Sequence, residues 1–426
     1  MEEKRYEKLG MQVFHGTLEN GLPIFVDKRP GYGKQFAFFA TRYGGLDMRF
    51  KTQEGWQDTP AGVAHFLEHK LFDTKDGNAL QIMAANGADP NAFTSFGMTG
   101  YFFQSTQGFE ENLRTLLDFV SEPWFTPESV AKEQGIIGQE IAMGDDEADT
   151  EVFYDLLKCL YQHHPIRTHI AGTQESISHI TDQTLYACHG AFYNPANMVL
   201  TVVGNVDPQK VMDIAREIIT APGTGNPERD YGEAEPEGAV RHETSRTMAV
   251  SAPLFQLGFK LPIPGAGEER LRAQLIGDLA GDLLVGESSP LYAKLYDAGL
   301  ITRAFSYGYE DYPGCAFFAL GGESRDPKAV RDQVLAECAR MAEEGFDAKR
   351  FERVKKAAYG GMVSQLNSFE NTAVELAQSY FDGVEYLTFP EVFRSITAQD
   401  VRDFIARWFR EEQAALAVIT PGGGEG

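Results

Sequence analysis

The run His65-Phe66-Leu67-Glu68-His69 carries the most pointed chemistry in the sequence. It lies in a stretch, residues 61–72, that reads as helix. Residues four apart on a helix share a face, so both imidazoles would project one turn apart, the spacing for two nitrogen ligands on one Zn²⁺. Glu68, three beyond His65, would stand close enough to take a proton from a metal-bound water without ligating the metal itself. A third protein ligand is then required. Residues 132–141 offer two acids, Glu133 and Glu140, seven apart on one helical face, and either could face the histidine helix. The ordinary meaning of such acids is a solvated face. His163, His164, His169, His179 and His189 show no ligand-like spacing and read as surface or core residues.

Several elements must hold these groups. Asn20-Gly21 is a turn signal between two extended runs within residues 17–26, and residues 36–43 read as a further strand. A second helix-like stretch, residues 77–86, is stopped by Gly87. Residues 91–105 (NAFTSFGMTGYFFQS) are rich in Phe, Tyr and Thr and read as strand. Thr126-Pro127-Glu128 starts a long helix that should run to about Met143, where Gly144-Asp145-Asp146 breaks it.

The chain also echoes itself. Residues 180–203 spell an amphipathic helix, a short turn and a strand, and residues 396–419 repeat this without a gap at an offset of 216. Ile180/Ile396, Thr181/Thr397, Gln183/Gln399, Leu200/Leu416 and Val202/Val418 fall in register. A period of half the chain indicates a duplicated domain rather than a solenoid. Residues 221–247, dense in Pro, Gly and Glu and poor in large apolar side chains, read as a linker or mobile crossover. The expected fold is therefore α+β: two homologous domains, each a mostly antiparallel sheet with helices packed on one face. The division is 1–220 with the metal motif, 221–247 as linker, and 248–426 without the motif.

The residues 62–69 (GVAHFLEH), the segment Asn91-Ala92-Phe93-Thr94-Ser95, and Glu133 with Glu140 together resemble the pitrilysin family of zinc metallopeptidases, the inverzincins, which include the mitochondrial processing peptidases. The runs HFLEHKLF, NAFTSF and GIIGQEI are similar to a bacterial, YmfH-like branch. The resemblance spans nearly the whole chain. It implies two halves closing a chamber, one Zn²⁺ per chain on His65, His69 and Glu140, and Glu68 as the catalytic base. It implies that Glu133 stands behind the ligands and orients them. It further implies that Asn91, Ala92 and Phe93 lie on a sheet edge where a peptide substrate adds as an extra strand; without it, Phe93 and Phe96 are simply core aromatics. One departure stands out. Active family members carry, in the second half, an Arg and a Tyr seven residues later that hold the substrate carbonyl. Here Tyr296 occupies the Arg position and no Tyr follows at the right place, while Arg303, Tyr307 and Tyr309 sit in a strand-like run. Metal and base are present and the clamp is absent, so the resemblance implies a heterodimer with a sister subunit that supplies it, a homodimer or monomer being the lesser options.

Composition bounds the rest. The 426 residues carry 38 Lys+Arg against 62 Asp+Glu, a net charge of −24, which disfavours nucleic acid and anionic membranes and is compatible with cationic peptides. Four scattered cysteines without a CxxC pair suggest free thiols in a reducing compartment. The first residues lack a signal-like apolar core, and no apolar run approaches bilayer length, so a cytoplasmic location is expected. Two rival functions remain: a non-catalytic peptide-binding or scaffold subunit, and a metal-dependent hydrolase of non-peptide substrates.

Overall fold

A computed structural model describes residues 1–422. The chain forms two compact units, each built on one sheet. The first sheet runs, in spatial order, Glu2–Tyr6, Met11–Thr17, Pro23–Lys28, Met198–Gly204, Gln35–Thr41, Thr99–Ser105 and Ala88–Thr94. All neighbours are antiparallel except Pro23–Lys28 with Met198–Gly204. The turn expected at Asn20-Gly21 is present, with the Leu18 N–H on the Leu22 carbonyl at 2.9 Å and Gly21 at φ 93°. Residues 91–105, by contrast, are not one strand. They belong to a hairpin of Ala88–Thr94 and Thr99–Ser105, reversed at Ser95, whose N–H meets the Met98 carbonyl at 2.8 Å.

Helices cover both faces of this sheet, where one covered face was expected. The central strand explains why: Phe36, Ala37, Phe38, Phe39 and Ala40 are all buried, so neither face can be left to water. Ala37 and Phe39 face the main core with the histidine helix, Val63–Leu71. Phe36, Phe38 and Ala40 face the opposite way, under Phe369, Ala373, Ala377 and Phe381 of the helix Phe369–Phe381.

The second sheet runs Glu243–Met248, Ala414–Pro421, Leu254–Leu261, Cys315–Glu323 and Ser306–Tyr312. Its order and its single parallel pair repeat the last five strands of the first sheet. The sequence echo is reproduced element by element. The helices Asp182–Phe192 and Ala398–Trp408 both start from a threonine capping box, Thr181 with Thr184 and Thr397 with Asp400. Leu200 pairs with Phe39 as Leu416 pairs with Leu257.

The contiguous division at 1–220, 221–247 and 248–426 differs from the compact units at the linker, which is divided between them after Tyr231 and ends in the strand Glu243–Met248, and in two further segments. Residues 142–167 belong with the second unit and residues 363–388 with the first. Each segment brings a helix to a sheet face that would otherwise lie bare; Gly258, for example, leaves room for Leu156 and Leu160 of the helix Ala148–Leu160. The crossover 221–247 is also more ordered than its composition suggests. Arg229 pairs with buried Asp47 at 2.8 Å, and Tyr231 donates to the same carboxylate at 3.0 Å. Glu235 then accepts the backbone N–H groups of Gln162, His163 and His164 and the Lys260 ammonium. Charged side chains, not apolar ones, tie the crossover down. The cysteines Cys159, Cys188, Cys315 and Cys338 are buried free thiols.

Candidate active site

The histidine helix begins at Gly62, whose φ of 98° and lack of space for a Cβ (2.6 Å from the Ala171 carbonyl oxygen) suit glycine alone. Val63, Ala64, Phe66, Leu67 and Leu71 bury most of its surface. His65 and His69 stay partly open on the remaining face, their rings 4.6 Å apart. The acidic helix, Pro127–Asp145, buries Val130, Glu133, Ile137 and Ile141, a stripe at three- and four-residue spacing, and leaves Glu140 half-exposed beside it.

Both acids meet the histidines, in different ways. Glu140 bridges them, with Oε1 at 3.4 Å from His65 Nε2 and Oε2 at 3.5 Å from His69 Nε2. Those separations are long for good hydrogen bonds. They match the spacing of about 3.4 Å between two donors that each lie about 2.1 Å from one tetrahedral zinc. Donor atoms of His65, His69 and Glu140 all lie within 4.8 Å of one another, so the donor set fits a zinc ion. Glu133 instead accepts a hydrogen bond from the far ring nitrogen of His69, Nδ1, at 3.1 Å. With the proton on Nδ1, the Nε2 lone pair points towards Glu140. His65 has no such support: its Nδ1 is buried without a hydrogen-bond partner.

Electrostatics follow from this crowd of carboxylates. Burial works against a charged His69 ring, but the Glu133 hydrogen bond and the charges of Glu68, Glu140 and Glu133 outweigh it and raise the pKa. Glu140 is pushed below the usual glutamate range by its interaction with His65, against the opposing effect of burial.

Glu68 lies beside the cluster, only 9% exposed, with Oε2 accepting the Thr94 hydroxyl at 2.6 Å. Thr94 stands in the segment quoted from the sequence, yet nothing in its spacing marks it; alternation along the strand from Ala92 is the only available signal. The strand Ala88–Thr94 is the last in its sheet, and its outer edge has no strand partner among the described residues. Asn91 is exposed there and its side-chain oxygen holds the Ala92 N–H at 2.8 Å. Ala92 packs against the main core, while the Phe93 ring stacks on Phe38 with centroids 5.7 Å apart. The Phe93 ring therefore packs in the apolar layer, and its main chain lies on the edge strand. No helix among the described residues is long and apolar enough to cross a membrane.

In comparisons with known proteins, residues 56–174 match the family model described as insulinase (peptidase family M16), and residues 179–358 the one described as peptidase M16 inactive domain. The chain is 38% identical over 421 residues to the zinc protease YmfH of Bacillus subtilis, covering 98% of each chain. It is 25% identical to the zinc protease YmxG of the same organism, over 96% of this chain and 98% of the relative. Among solved structures, an M16-like peptidase from Alicyclobacillus acidocaldarius superposes with a TM-score of 0.93 at 31% identity, covering 97% of this chain and 99% of that one. A protease from Helicobacter pylori, at 18% identity and a TM-score of 0.82 over 96% and 99% of the two chains, shares the fold.

Proposed function

The chain belongs to the M16, or insulinase, family of zinc peptidases, and from that premise we propose that it is a zinc-dependent endopeptidase acting on short or unfolded peptides. The observation that carries this reading is the spacing of the facing donor atoms of His65, His69 and Glu140. These three side chains would hold one Zn²⁺ per chain. Bound there, the metal would supply Lewis-acid polarisation of the scissile carbonyl and of water. Glu68 takes the proton of the attacking water and delivers it to the departing amine. Glu133 fixes the His69 ring through Nδ1. The open edge of Ala88–Thr94 offers main-chain groups to an extended peptide, with Asn91, Ala92 and Phe93 as contacts.

The chain would be the metal-bearing subunit of a heterodimer. Tyr296, exposed on the helix Pro290–Asp297 and stacked on Tyr292, stands where active relatives would place an Arg, so a sister subunit supplies the Arg/Tyr clamp on the substrate carbonyl. A homodimer is the lesser option. Buried free thiols support a cytoplasmic setting, the charge of −24 suits cationic peptides, and leader peptides of modified peptides are a fitting substrate class.

The test is Glu68→Gln in the zinc-loaded protein with its co-purifying subunit. Zinc content is expected to stay stoichiometric while cleavage falls by at least about a thousandfold; cleavage at the normal rate would remove Glu68 from the mechanism. The missing clamp also favours a second reading, a non-catalytic peptide-binding or scaffold subunit. Purified protein without stoichiometric zinc would point to that one.

A further inference from the structure

A buried carboxylate that must move a proton needs a fixed orientation, and Glu68 receives it from outside its own helix. The Thr94 hydroxyl donates to Oε2 at 2.6 Å, within the range of charge-assisted O–H···O⁻ bonds, which are stronger than neutral ones. Thr94 ends the edge strand and is held independently of the histidine helix. It pairs with Thr99, and the turn that follows is closed by the Ser95 N–H and hydroxyl, both on the Met98 carbonyl, at 2.8 and 2.9 Å. A loop clamps the same turn from the other side: the N–H groups of Gly45 and Leu46 reach the carbonyls of Ser95 and Phe96 at 3.0 Å. Gly44 approaches so closely that a Cβ there would lie 2.5 Å from both carbonyl oxygens. The hydroxyl is thus carried by rigid backbone on two sides.

We propose that Thr94 is a positioning residue for proton transfer at Glu68. Its hydroxyl occupies Oε2, fixes the plane of the carboxylate, and leaves Oε1 as the oxygen that exchanges a proton with the attacking water. Thr94 also shares a strand face with Ala92, two residues away, so the element that would take up the peptide is the element that orients the base. This inference rests on the peptidase reading. A purely structural Thr94 would contribute through packing of its methyl group and the satisfaction of a buried polar pair, and valine would mimic the first of these.

The experiment compares Thr94→Val, Thr94→Ser and Glu68→Gln with the wild type. Each protein is zinc-loaded, purified with its accompanying subunit, and assayed on a quenched fluorescent peptide of mixed basic and apolar sequence. The expected result for T94V is a kcat lower by about 10- to 100-fold, with KM changed by less than about threefold and zinc affinity unchanged in a chelator competition. T94S, which keeps the hydroxyl, should return to within about threefold of wild type. Crystal structures give a readout independent of turnover: the Glu68 carboxylate should be rotated or split in T94V and in place in T94S. Wild-type kcat in T94V, T94S as slow as T94V, or an identical Glu68 carboxylate in all of them would overturn the assignment. Undiminished cleavage by E68Q would instead remove the base itself, an outcome separate from inactive E68Q alongside fully active T94V.

Discussion

His69 meets a carboxylate at each ring nitrogen, Glu133 at Nδ1 and Glu140 at Nε2, whereas His65 meets one at Nε2 alone. The geometry therefore gives unequal surroundings to two histidines that the motif presents as equivalent. An imidazole anchored by a carboxylate is both oriented and made more basic, so Glu133 should matter to the metal without touching it. Glu133→Gln, which keeps shape and an acceptor oxygen but removes the charge, is expected to weaken zinc binding by about 10-fold, measured by competition with a chromophoric chelator. Unchanged affinity would mean that packing alone orients His69. The spacing of His65, Glu68 and His69 was legible in the sequence because a helix converts a gap of four into a shared face. Spacing alone left the choice between Glu133 and Glu140 to the family resemblance, since seven residues return the helix to nearly the same direction and both acids reach the histidines from one face. Thr94 was illegible for another reason: a threonine in a strand is ordinary, and only the fold reveals that its hydroxyl ends at a carboxylate.

Elements show the same mixture. The two echo helices and their following strands were readable because capping threonines and apolar alternation are local signals. The hairpin at Ser95 was hidden inside a continuous β-prone run, its reversal resting on a serine turn and the clamping loop at Gly44-Gly45-Leu46. The crossover misled in the other direction, because low apolar content does not preclude order when charge supplies it. Glu235 illustrates this. Burial opposes its ionised form, but three backbone N–H groups and Lys260 prevail and bring its pKa from 4.5 to about 2. A depressed carboxylate pKa means the folded state prefers the ionised form. The resulting stability is complete above the unfolded value of 4.5 and is lost as pH falls from there through about 2. Glu235→Gln should cost about 1 to 2 kcal/mol at pH 7, part of the full linkage value because solvent screens a carboxylate that is partly open. The penalty should shrink as pH falls below 4.5 towards 2. Urea titrations of both proteins at neutral and acid pH check this; an equal penalty at both would show that the loss comes from shape rather than charge.

At the scale of the whole molecule, half-chain periodicity implies duplication, but the contiguous halves it marks are not the compact units, since periodicity records ancestry and compactness records which faces need cover. The helix Phe369–Phe381 lies far along the chain from the sheet it covers, so no local pattern links it to Phe36, Phe38, Ala40, Val199 and Val203 beneath it. Its Thr372 and the carbonyl of Leu366 also receive the Arg29 guanidinium, at 2.9 and 2.7 Å, so the helix is fixed to the sheet by polar contacts as well. Exposing Phe36, Phe38, Val199 and Val203 would forfeit about 1.5 to 3 kcal/mol for each side chain, a total comparable with the about 5 to 15 kcal/mol by which a whole domain is stable. A fragment of residues 1–231 contains the metal motif and all seven strands of the first sheet, as a self-sufficient contiguous domain would, yet it lacks this cover. It is expected to associate or to melt without a cooperative transition, as read by light scattering and calorimetry, and a synthetic peptide of residues 363–388 should restore a cooperative melt. If the fragment alone is a monomer that melts as sharply as the full chain, the helix is an accessory and the contiguous division is the physically correct one.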